Sequence, residues 1–248
     1  MTIELAILIG VAFAAGCIDA IAGGGGLLTL PALLTAGLPP QVALGTNKGQ
    51  SVFGSAAALL RYARGGLVAK DRAKLAFPFG FAGSLCGGLV VLALDPKVLK
   101  PLVLVLLVAA GAFVAFRPQP KQHSPVSRPA LVTALISVGI GFYDGFFGPG
   151  TGTFLIVAFV AVLGDELTKA TAEAKVVNFA SNLAAVALFS YRGLIVWKLA
   201  LPMAGAQFLG GLLGAQLALK QGGPLIRRVV LAVVLALVAR LGYDLIVG

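Results

Sequence analysis

Apolar runs of about twenty residues, separated by short polar gaps, fill almost the whole chain. A bilayer core about 30 Å thick takes about 20 helical residues. Stretches of that kind fall near residues 3–22, 42–62, 73–94, 98–116, 130–147, 170–190, 198–219 and 225–247. Two further apolar pieces, LLTLPALLTAG at 27–37 and TFLIVAFVAVLG at 153–164, are too short to be full spans. At 1.5 Å per residue each reaches only about 18 Å, roughly half a bilayer. They must be half-helices, re-entrant arms or short broken spans shielded by neighbours, because unpaired backbone cannot face lipid. The pattern predicts an all-α membrane protein, a polytopic helix bundle of eight full spans and two short broken or re-entrant half-helices.

The two short pieces occupy matching places in two halves of the chain. GCID at 16–19 aligns with GFYD at 141–144, and the glycine run at 22–26 falls beside FGPGT at 147–151. From Ala43, ALGTNKGQSVFGSAAALLRYARGGLV pairs with ATAEAKVVNFASNLAAVALFSYRGLI from Ala170. That register sets Lys48 on Lys175, Ser51 on Asn178, Ser55 on Asn182 and Gly66 on Gly193. Further on, Pro78 pairs with Pro202 and Gly87 with Gly211. A first transmembrane repeat therefore covers 1–116 and a second 130–248, joined by a basic, proline-rich linker at 117–129.

Composition agrees with the spans. Of 248 residues 59% are hydrophobic and only 11% charged, and the mean hydropathy is +1.00, whereas soluble domains carry about 25% charge. The first run lacks a basic leader and a small-residue cleavage site, so it reads as a retained helix. The net charge of +10 lies in the gaps between spans, a topology signal and not a nucleic-acid surface. If the short pieces count as crossings, the repeats are inverted and both termini lie outside. The basic loops at 61–74, 117–128 and 220–228 then share the cytoplasmic side, where Arg61, Arg64, Lys70, Arg72 and Lys74 meet anionic headgroups. Cys17 and Cys86 sit in apolar runs with no second ligand, and His123 is a linker residue. No disulfide framework, metal site or cofactor is expected.

The chemistry concentrates at the two breaks. Gly23, Gly24, Gly25 and Gly26 let backbone N–H groups face a cavity, and the half-helix that follows presents the positive end of its dipole, which attracts anions. Gly148, Gly150, Thr151 and Gly152 repeat the arrangement, with Thr151 placed to cap the second half-helix. Paired interruptions of this kind point to a transporter site near the midplane. Lys48 and Lys175 lie inside apolar runs, where an ammonium costs at least about 2.5–3.5 kcal/mol on insertion scales, so each faces protein or water. Lys48, Ser51 and Ser55 share one helix face, as do Lys175, Asn178 and Asn182. Asn47, Thr46, Gln50, Glu173 and Ser181 extend that polarity. Asp19 and Asp144 are partners for the lysines or carriers of a coupling proton. Three acids this dispersed do not form an oxygen cage for a metal cation.

An Asp-ended first helix, AIAGGGGLLTLPAL, then ALGTNKGQSVFGSAAAL, and GFYDGFFGPGTGTF in the second half together resemble the sulfite exporter TauE/SafE family, over essentially the whole chain. The second-half signature is looser, with Pro149 and Thr151 where the first has glycines and no Asn before Lys175. The resemblance implies a multi-pass inner-membrane permease for small sulfur-containing anions such as sulfite, thiosulfate or organosulfonates, with membrane lipids as its other partner. Read from the residues alone, a secondary carrier or channel for another small anion or metabolite stays open. An enzyme is disfavoured, because no nucleophile and base converge and no GxSxG or HExxH motif is present.

Overall fold

The computed structural model describes residues 2–116, 127–222 and 224. Among the described residues the chain forms nine α-helices. They are α1 (Thr2–Ala22), α2 (Gly26–Thr35), α3 (Pro40–Arg64), α4 (Lys70–Ala93), α5 (Pro96–Phe116), α6 (Pro129–Phe146), α7 (Thr151–Leu163), α8 (Leu167–Tyr191) and α9 (Trp197–Gln221). The expected span at 225–247, most of the linker and His123 lie outside the described residues. Among the described residues three helices, at 3–22, 70–93 and 129–146, are long and apolar enough to cross a bilayer by length and composition. The short pieces are α2 and α7, of 10 and 13 residues.

α3 and α8 are the polar helices, and their polarity is turned inward: Thr46, Asn47, Lys48, Gln50, Glu173, Lys175, Asn178 and Ser181 are all buried. The outer helices carry the exposed apolar residues, among them Ile3, Leu89, Leu135 and Leu209. The protein is thus inverted relative to a soluble fold, with charge at the centre and leucine at the periphery. That arrangement suits a lipid surround.

Small residues set the spacing between helices, as expected where apolar surfaces gain little by leaving lipid. α4 packs on α6 with Gly83 and Gly87 against the Val138 and Phe142 carbonyls, and with Gly141 and Gly145 against those of Gly80 and Ser84. A methyl at any of these four glycines would stand 1.9–2.6 Å from the facing carbonyl oxygen. α1 meets α9 in the same manner, with Gly16 against the Gln207 carbonyl, Gly210 against that of Phe13 and Gly214 against that of Cys17. The two sets of contacts correspond when Gly83 is matched to Gly210 and Gly87 to Gly214. The sequence pairing of Pro78 with Pro202 and of Gly87 with Gly211 is therefore displaced by most of a helical turn, because the glycine contacts and not the prolines mark equivalent positions.

Loop contacts repeat as well. The Val196 N–H donates to the Thr46 hydroxyl oxygen at 3.1 Å, and the Ala69 N–H donates to the Glu173 carboxylate at 2.8 Å. Ser84 donates to the Ser181 carbonyl at 2.7 Å, where Gly211 lies against the Gly54 carbonyl in the other half.

Candidate functional site at the two helix breaks

The breaks between α1 and α2 and between α6 and α7 meet at the centre of the bundle. Gly23 turns the chain at φ +72°, and its Cα faces the Gly152 and Thr153 backbone so closely that a methyl there would be 2.3 Å from the Gly152 carbonyl carbon. Conversely, a methyl on Gly152 would lie 2.7 Å from the Gly23 Cα. Thr153 fastens the contact, its hydroxyl donating to the carbonyls of Ala22 at 3.0 Å and Gly23 at 3.2 Å. Gly26 faces Pro149. The crossing needs bare backbone on both sides, which is why glycines recur there.

Two ion pairs bridge the halves reciprocally. Lys48 Nζ on α3 lies 2.8 Å from Asp144 Oδ1 on α6, and Lys175 Nζ on α8 lies 3.0 Å from Asp19 Oδ2 on α1. Lys175 also donates to the Asp19 backbone carbonyl. Ser181 donates its hydroxyl to the other Asp144 oxygen. Both lysines are buried, so the structure satisfies them with carboxylates from the opposite half, as burial of a charge requires.

The two breaks differ in what their N–H groups face. Asp19 Oδ1 accepts from the Gly24 and Gly25 N–H groups at 3.2 and 3.4 Å, so the amide end of α2 already holds a carboxylate. Asp144, its counterpart, is instead taken by Lys48 and Ser181. At the start of α7 the residue before the helix is Gly150, left-handed at φ +88°, and no side chain caps it. Thr151 is therefore not the cap expected from sequence: it is the first helical residue, and its hydroxyl donates to the Gly148 carbonyl at 2.6 Å.

A small cavity of about 30 Å³ lies between these groups, room for roughly two waters. Asp19, Gly24, Gly26, Asn47, Lys48 and Ser51 line it from the first half, and Asp144, Gly148, Gly150, Thr151, Gly152, Asn178 and Asn182 from the second. Three of the residues singled out from sequence stand behind this wall. Gly23 is pressed on Gly152, Gly25 packs under Ala15 and Asp19, and Lys175 reaches Asp19. Ser55 is turned to the Val52 carbonyl. Asn47 is tied by Thr29, which donates at 2.5 Å, and by the Gln50 amide at 3.2 Å. One lining residue, Gln207 of α9, was not anticipated. Its signal was available: a lone amide in the small, apolar run MAGAQFLGG.

Paired broken helices around a buried, charge-lined cavity, on a bundle with an apolar exterior, define a multi-pass membrane transporter. The family model "Sulfite exporter TauE/SafE" matches residues 8–241, and the chain belongs to that family. A probable membrane transporter protein, ORF9, of Sinorhizobium sp. is 43% identical over 97% of this chain and 93% of its own length. One of Haemophilus influenzae is 43% identical over 97% and 95%, and YfcA of Escherichia coli K12 is 41% identical over 97% and 90%. No solved structure matches the chain. The protein is a transporter and not an enzyme.

Proposed function

We propose that the protein carries a small sulfur-containing anion, of the sulfite, thiosulfate or organosulfonate class, across the inner membrane by alternating access. The observation that carries this reading is the reciprocal pairing of Lys48 with Asp144 and Lys175 with Asp19 beside two touching helix breaks. The amide end of α7, the Lys48 ammonium and the amides of Asn178 and Asn182 offer several donors to one compact oxyanion. At α2 that place is filled by Asp19, so the anion sits nearer α7.

The four charged side chains sum to zero. An anion that takes the Lys48 ammonium displaces Asp144, leaving a buried carboxylate with Ser181 alone. A buried carboxylate that has lost its cation costs several kcal/mol, which makes this position the place for a coupling proton. Anion and proton then move together, with Asp144 or its counterpart Asp19 as the carrier.

The repeats are inverted in this reading. Contacts between α3 and α9 advance in step, Gly49 beside Ala200, Gly54 beside Gln207 and Gly65 beside Leu219. Those between α1 and α9 also advance in step, as Phe13 with Gly210 and Cys17 with Gly214. α1 and α3 then run the same way, which supports α2 as a return pass and five passes per half. Each half rocks against the other about the crossing of the breaks.

Anion flux into proteoliposomes tests the proposal. Lys48→Ala and Lys175→Ala are each expected to abolish saturable sulfite or sulfonate uptake, and wild-type flux in both would remove the lysines from the site. A thermal-shift screen against sulfite, thiosulfate, sulfonates, sulfate and carboxylates identifies the anion, since a ligand of the folded state raises its apparent stability.

A further inference from the structure

One departure of the cavity from the twofold repeat lies on α9. Where α4 carries Gly80 against Gly141 of α6, α9 carries Gln207 against Gly16 of α1. Gly80 has no side chain to offer. Gln207 has an amide, and its stem is gripped on two sides: a methyl on Gly16 would lie 3.0 Å from the Gln207 Cγ, and one on Gly54 2.6 Å from it. Two glycines on two other helices thus leave the room that this one side chain occupies.

Gln207 is only 2% exposed and lines the cavity. Its Nε2 lies 3.5 Å from the Ser51 hydroxyl, a weak contact, and its Oε1 is buried without a partner. A buried carbonyl oxygen left unpaired costs free energy, and a membrane interior has no bulk water to relieve it. The carboxylates of Asp19 and Asp144 are each held by a lysine, and the Asn47 side-chain oxygen accepts from Thr29 and Gln50. Gln207 Oε1 is therefore a buried acceptor of a cavity-lining residue that no protein donor reaches.

We infer that Gln207 is a specificity-determining residue, and that the transported anion carries a hydrogen-bond donor of its own: the O–H of a protonated oxyanion, or an O–H or N–H on the carbon chain of a sulfonate. The inference rests on the anion-carrier reading above. The donors at α7 and Lys48 take the charged oxygens, and Gln207 on α9 takes the donor. Because position 80 in the other half is glycine, the site holds such a solute in one orientation only.

The test compares 2-hydroxyethanesulfonate with 1-propanesulfonate, which match in length and charge and differ by a hydroxyl against a methyl, using calorimetric titration of the purified full chain in detergent. Wild-type protein is expected to bind the hydroxyl compound at least about tenfold more tightly, since the methyl compound leaves Oε1 unpaired. Gln207→Leu is expected to bring the two within about twofold, and Gln207→Met serves the same purpose should the leucine variant fail to fold. Gln207→Glu, which keeps an acceptor, retains the preference. Equal affinities in the wild type, or an unchanged ratio in the folded leucine or methionine variant, overturn the role of Gln207 while leaving the anion site standing. Binding of neither sulfonate, nor of sulfite, overturns the anion reading itself.

Discussion

The Lys48 ammonium lies 2.8 Å from a carboxylate oxygen of Asp144, and the two residues belong to different halves of the chain. Removing one partner strands the other in a buried place. Asp144→Asn is expected to cost about 3–5 kcal/mol, because it leaves an uncompensated ammonium. The double variant Lys48→Met with Asp144→Asn recovers most of that loss, since no charge remains to be stranded, yet transports nothing. Denaturant titration in detergent reads stability and flux assays read function. A double variant no more stable than Asp144→Asn alone would show that the pair is not coupled.

Glycine substitutions separate contact from space. Gly23→Ala and Gly152→Ala force the two breaks apart, and at Gly23 the positive φ adds strain. Both are expected to lose folded yield or to lower the melting temperature by several degrees, with flux abolished. Gly139 and Gly205 are exposed on α6 and α9 with nothing within 4 Å of an added methyl. Alanine at these two sites is expected to be neutral or stabilising by up to about 1 kcal/mol through helix propensity. Melting curves of the four variants check the contrast, and equal behaviour of the two classes would contradict it.

Tyr62 and Phe189 hold equivalent places at the ends of α3 and α8, and both are fully buried. The Tyr62 hydroxyl donates to the Ala20 carbonyl at 2.9 Å. Phenylalanine already fills the matching site, so Tyr62→Phe is expected to pack without distortion and to lose only the hydrogen bond, about 0.5–1.5 kcal/mol. Flux falls little. A loss above about 3 kcal/mol in the denaturant titration would mean that the hydroxyl does more than close that bond.

Much of this architecture was legible in the sequence because a bilayer leaves the chain few options. The length of each apolar run sets its helix, and a glycine run between two of them can only be a break. Lys48 and Lys175 had to face protein, since lipid would not take an ammonium. Their partners were harder to read. Asp19 and Asp144 sit one break away from the lysines along the chain but are exchanged between halves in space, and sequence spacing carries no sign of that exchange. Thr151 was misread as a cap because a hydroxyl beside a helix start suits either role, and only the left-handed Gly150 settles which residue comes first. The α4 and α9 register was drawn to the prolines. Helix contact follows the glycines instead, because backbone approach and not a kink decides the interface.

Inverted repeats make one geometric demand that labelling can check. Arg64 at the end of α3 and Arg192 just past the end of α8 are exposed and lie one residue out of register with each other in the two halves. If the halves are inverted, these residues open on opposite faces of the membrane, with Arg64 on the cytoplasmic side alongside the other basic residues of that loop. The experiment replaces Cys17 and Cys86 by alanine and introduces Arg64→Cys or Arg192→Cys singly. A membrane-impermeant maleimide added to right-side-out vesicles is expected to label the cysteine at 192 and to spare the one at 64, and inside-out vesicles reverse the result. Labelling of both positions from the same face would make the repeats parallel, and α2 would then return to the side it came from without crossing.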